Sequence, residues 1–111
     1  TMPRAFQNAG YQTALIGKWH LGENTKPKES HPLRHGFQLA LHHDYGLIPE
    51  GNGYVWIKGT DSGGRRYRLP DLTEKITNDA VNYLDTVSQP FLLFVTHYNP
   101  HLPLQPKPVL V

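Results

Sequence analysis

At 111 residues the chain is the size of one small domain, and a composition of 38% hydrophobic and 18% charged residues belongs to a folded chain, not a disordered one. A formal charge of +2, with seven histidines taken as neutral, is too small to predict nucleic-acid or membrane binding. The absence of cysteine excludes a disulfide scaffold, a zinc–thiolate site and a cysteine nucleophile within these residues, and no apolar run approaches the roughly 20 residues that span a bilayer.

In chain order, residues 3–9 read as the last turns of a helix that stops at Gly10, because glycine readily takes the left-handed conformation that ends helices. Residues 11–16 read as a short strand with Gly17 opening a loop, and the polar, proline-containing stretch 23–36 reads as loop. A turn at 51–53 leads to a strand over 54–57. Residues 59–64 then form a hairpin connection to a return strand carrying Tyr67 and Leu69, ended by Pro70. Arg65, Arg66 and Arg68 are the basic cluster and read as a solvated turn.

The clearest helix covers 71–87. Asp71 and Glu74 have capping-box spacing, and Leu72, Ile76, Ala80, Tyr83, Leu84 and Val87 recur in steps of three and four to make one apolar stripe. After Pro90, residues 91–95 (Phe-Leu-Leu-Phe-Val) run without alternation, as suits a strand covered on both faces. The proline-rich tail is extended. Strands interleaved with helices predict an α/β sheet. Two helices cannot cover such a sheet fully, so the chain is expected to be part of a larger domain. The sequence opens on Thr1 and not on methionine, so a start further upstream is an expectation, and the compartment is unread.

Two segments carry candidate chemistry. Gly17-Lys18-Trp19-His20-Leu21-Gly22 follows a predicted strand, and ligands in open α/β sheets bind beyond the carboxyl ends of strands. A lysine and a histidine two residues apart offer a fixed positive charge for an anion and a group that donates or moves a proton near neutral pH. Thr96-His97-Tyr98-Asn99-Pro100-His101 follows a second strand, so two strand-end loops are placed to meet at one site, with His97 and His101 as candidates. His31 and His35 have i,i+4 spacing, but Pro32 and Gly36 argue against the helix a metal pair needs. His42, His43 and Asp44 read as a partly exposed loop that could line a pocket.

The stretch from Gly10-Tyr11-Gln12-Thr13 through Gly17-Lys18-Trp19-His20-Leu21-Gly22 resembles the second signature of the sulfatase family. His31-Pro32-Leu33-Arg34-His35-Gly36-Phe37, Leu72-Thr73 with Asp79-Ala80, and the strand from Phe91 with its Pro100-His101-Leu102-Pro103 loop resemble later family segments in the same order. The resemblance spans nearly the whole chain. It implies that residues 1–111 are an internal fragment of a catalytic domain with an alkaline-phosphatase-like α/β sheet and flanking helices, incomplete in this chain.

The resemblance further implies a sulfuric ester hydrolase. Its formylglycine nucleophile, made in a Cys/Ser-x-Pro-x-Arg motif, and its calcium ligands are expected outside these residues. By the same resemblance Lys18 contacts the sulfate and the nucleophile, His20 hydrogen-bonds the formylglycine hydroxyl, and His101 binds sulfate and protonates the leaving oxygen. A sulfate ester is the implied substrate, with sulfated carbohydrate favoured by family frequency. The family is often exported or lysosomal. A non-catalytic relative and a phosphate or phosphonate ester hydrolase of the same fold remain as alternatives, and the 111-residue chain alone is expected to be inactive.

Overall fold

The computed structural model describes residues 1–21, 30–43, 54–59 and 66–100. The turn at 51–53, most of the hairpin connection, Arg65, Asp44 and the tail from His101 onward lie outside the described residues. Helix α1 spans Met2–Asn8, with the Thr1 side chain accepting from the Arg4 amide and a proline in the first turn, where no amide proton is needed. The Gly10 φ of +89° ends it as expected, and the chain turns directly into strand β1, Gln12–Gly17.

The strands are β1, β2 (Leu39–His43), β3 (Tyr54–Lys58), β4 (Arg66–Tyr67) and β5 (Phe91–Thr96), in the spatial order β4-β3-β2-β1-β5. Strands β2, β1 and β5 run parallel, and β3 and β4 are antiparallel additions. The α/β class, the strand at the Gly17 signature and the hairpin pairing Tyr54 with Tyr67 follow the sequence expectation. Strand β2 was not expected. Its residues, Leu-Ala-Leu-His-His, include none of the Val, Ile, Thr, Phe, Tyr or Trp side chains that favour strands.

Central β1 is buried from Thr13 to Gly17, as both its neighbours and both its faces are occupied. On one face Ile16 packs with Leu72, Ile76 and Ala80 of helix α2 (Leu69–Thr86) and with Tyr98. On the other, Leu15 packs with Trp19, Phe37 and Phe94. Full burial of side chains such as Leu72 and Ile76 contributes about 1.5–3 kcal/mol each. Behind β1, Thr13 is tied to the entry of β2 by its hydroxyl, which donates to the Gly36 carbonyl at 2.6 Å.

Three expectations are corrected. Pro70 does not close a return strand; it occupies the first turn of α2, which starts at Leu69, and the N-cap is Arg68 with no side-chain cap bond in place of the Asp71–Glu74 box. Arg68 instead lies 3.5 Å from Asp71 as an exposed ion pair. Leu84, on the rim of the α2 stripe, is 46% exposed. In agreement with the expectation that two helices leave the sheet partly uncovered, strand β5 is an edge strand among the described residues, and its Phe91 and Val95 are 41% and 40% exposed. Among the described residues no helix is long and apolar enough to cross a membrane.

Candidate active site

Strands β1 and β5 end side by side, with Gly17 opposite Thr96, so the residues that follow each leave from one edge of the sheet. Gly17 has φ +131°, and a Cβ there would sit 2.0 Å from the Thr96 carbonyl oxygen, so only glycine fits this crossing. The Lys18 amide donates to the Thr96 carbonyl at 2.7 Å, and the Thr96 hydroxyl donates back to the Lys18 carbonyl at 2.7 Å. The Lys18 backbone is therefore locked to β5 from both directions.

Trp19 decides where its neighbours go. Its indole nitrogen donates to the Ser30 carbonyl at 2.9 Å, and its ring is buried beside Leu15 and Phe37. With Trp19 on that face, Lys18 lies on the α2 side, its ammonium 4.9 Å from the centroid of the Tyr98 ring. Tyr98 is buried in the α2 cluster, and the next residue, Asn99, donates to the Thr73 hydroxyl at 3.1 Å. His20 and His97 are exposed at the same edge. Of the three predicted site residues, Lys18 and His20 thus emerge beside the loop that leads to His101, and His101 itself lies outside the described residues.

His31 and His42 have a role that periodicity gives no hint of. Both are fully buried, and the Nε2 of each lies 3.1 Å from the Gly59 carbonyl oxygen. His31 Nδ1 accepts from the Leu33 amide at 3.2 Å, so its single proton is on Nε2, donated to Gly59. Burial holds the His31 pKa below its usual value, against the raising effect of the Gly59 hydrogen bond, and the nearby Arg34 charge lowers it further. His35 turns instead toward Trp19, 5.9 Å between ring centroids, so the i,i+4 histidines diverge. His42 is a fully buried strand residue, not part of a loop lining a pocket.

Among the described residues no group of three or more His, Cys, Asp or Glu side chains could hold a metal ion, so none of them fits as a calcium cage. The letters of the nucleophile motif do occur, at Ser30-His31-Pro32-Leu33-Arg34, which corrects the expectation that the pattern is missing from these residues. The structure uses that stretch as a brace. The Ser30 carbonyl holds Trp19 on the face opposite Tyr98, His31 is clamped to Gly59, and the Arg34 carbonyl accepts from the Arg4 guanidinium at 3.0 Å. A cleft of about 450 Å³ opens at the amino edge of the sheet among Gln7, Tyr11, Gln12, Gln38 and Gln89. Its neutral lining offers no charge for an anion, and the candidate chemistry lies at the opposite edge.

A family model for sulfatases matches residues 1–110. The chain belongs to the sulfatase family. It is 32% identical to an arylsulfatase of Hemicentrotus pulcherrimus over 122 residues, covering 94% of this chain and 22% of that sulfatase. It is 32% identical over 110 residues to an N-acetylglucosamine-6-O-sulfatase of Bacteroides thetaiotaomicron, covering 97% of this chain and 18% of the relative. A solved structure in complex with its substrate D-glucosamine-2-N,6-O-disulfate superposes with a TM-score of 0.66 at 28% identity, covering 92% of this chain and 19% of that one. The chain thus spans about a fifth of the length of the sulfatases it matches.

Proposed function

We propose that residues 1–111 are an internal stretch of a sulfatase catalytic domain, and that the parent protein hydrolyses sulfate monoesters at the edge where β1 and β5 end. The observation that carries this reading is the Gly17–Thr96 register, which launches the Lys18–His20 loop and the loop toward His101 from adjacent points. The family resemblance adds a formylglycine nucleophile and a calcium ion supplied by residues outside this chain.

In this reading the Lys18 ammonium binds the anionic sulfuryl oxygens. His101 binds sulfate and donates a proton to the leaving oxygen as its S–O bond breaks. His20 donates a hydrogen bond or accepts a proton beside the sulfuryl group. Contacts of this kind are each worth on the order of 10²-fold in rate. A sulfated carbohydrate is the proposed substrate class, supported by the sulfated glucosamine named for one structural neighbour and the N-acetylglucosamine-6-O-sulfatase named among the relatives.

The test is turnover of the full-length parent protein on aryl sulfate, sulfated glucosamine and aryl phosphate. Sulfate-ester turnover that falls on the order of 10²-fold or more in Lys18→Ala, His20→Ala and His101→Ala supports the reading. Faster phosphate-ester turnover reassigns the chemistry, and variants with wild-type kinetics remove the site.

A further inference from the structure

We propose that Tyr98 is a positioning residue for Lys18, its ring acting as an uncharged platform that fixes the ammonium without neutralising it. This rests on the reading of Lys18 as the cation that binds the sulfuryl group. The Lys18 ammonium lies 4.9 Å from the Tyr98 ring centroid, within the range at which the negative face of an aromatic ring attracts a cation. Among the described residues the side-chain ion pairs are Arg68–Asp71 and Lys75–Asp79, and no carboxylate pairs with Lys18. The difference matters for an anion site. A carboxylate at that position would hold the lysine but cancel its charge, whereas a ring quadrupole holds it and leaves the full positive charge for the ligand.

The platform is itself rigid. Tyr98 is 8% exposed and packs with Ile16, Leu72, Ile76 and Ala80, and Asn99 fastens the following turn to Thr73 of α2. The Lys18 backbone is fastened independently through Thr96. A flexible four-carbon side chain is thereby held at both ends, which removes rotamer freedom before substrate arrives.

The experiment is a double-mutant cycle on kcat/KM for a sulfate monoester in the full-length parent: Lys18→Ala, Tyr98→Leu, the pair together, and Tyr98→Phe. Tyr98→Phe keeps the ring face and should stay within about threefold of wild type. Tyr98→Leu should lower kcat/KM roughly 3- to 30-fold, the span of a cation–π contact from exposed to desolvated. With Lys18 already alanine, the same Tyr98→Leu change should cost less than about twofold, since there is no ammonium left to position. Equal losses in the two backgrounds would show Tyr98 to be a core residue only and overturn the proposal. An inert Lys18→Ala would instead overturn the functional reading on which it rests.

If Tyr98→Leu does not fold, phenylalanines of increasing fluorination at position 98 keep the shape and weaken the ring face stepwise. The expected result is a graded fall in kcat/KM with fluorine number at constant thermal stability, and a flat series overturns the proposal.

Discussion

His31 and His42 donate to the same acceptor, the Gly59 carbonyl oxygen, each at 3.1 Å, with their rings edge to face at 5.4 Å. The pair ties the turn at Pro32–His35 and β2, which follows it closely, to the end of β3 further along the chain. A doubly protonated imidazole cannot fulfil the His31 role, because Nδ1 must accept from the Leu33 amide. The His31 pKa is lowered in the folded state from 6.5, so below that pH the unfolded chain takes up the proton more readily. This contribution is present above about pH 6.5 and is lost as pH falls through and below it. Denaturation midpoints measured from pH 8 to pH 5 should therefore fall on the acid side, and the His31→Ala variant should be less stable at pH 8 by about 1–3 kcal/mol with a shallower acid loss. A variant as stable as wild type would remove the clamp.

Gly17 is the hinge of the candidate site. An alanine there would combine an unfavourable φ with a Cβ driven into the Thr96 carbonyl. Gly17→Ala should cost more than about 2 kcal/mol of stability, or relax by parting Lys18 from Thr96, which would lower turnover in the parent protein. Denaturant titration and kinetics check the two outcomes, and unchanged values for both would refute the crossing described here.

Ser30 offers a sharp control. It stands in the letters of a nucleophile motif, yet its backbone anchors Trp19 on the face away from Tyr98. Ser30→Ala keeps that backbone carbonyl, the group that holds Trp19, and should leave sulfate-ester turnover of the parent within about twofold. Abolished turnover would place the nucleophile in this chain after all.

Val81, Leu84, Phe91 and Val95 are 49%, 46%, 41% and 40% exposed. Val81 and Leu84 belong to α2 and Phe91 and Val95 to β5, and α2 packs across both β1 and β5, with Phe91 meeting Tyr83 edge to face. Strand β5, an edge strand among the described residues, has no lysine, proline or bulge to discourage pairing along that edge. The 111-residue chain on its own should self-associate at micromolar concentration, and Val95→Lys should reduce that association. Sedimentation velocity is the check, and a monomer across that range would count against an unfinished edge.

Local pattern made much of this molecule legible. The stripe from Leu72 to Tyr83 announced α2 because a helix buries one face with a period of 3.6 residues, and Gly10 announced the end of α1 because of its left-handed φ. The signature from Gly10 to Gly22 led to the family, and the apolar run at Phe91 led to β5. Strand β2 stayed hidden because its composition is ambiguous, and the start of α2 was misplaced because Pro70 suits both a strand end and a first helical turn.

What the sequence alone determined is therefore each stretch whose period or motif is local: an α/β chain of the sulfatase family with Lys18 and His20 after its first strand. Tertiary structure decided which residues meet. Register brings Gly17 to Thr96 across 79 positions, and packing carries Lys18 onto Tyr98. Two of seven histidines become buried donors to one carbonyl. The physical reason is that hydrophobic period reports which face a residue turns, while the identity of its partner is settled only when distant segments close against each other and every buried donor must find an acceptor.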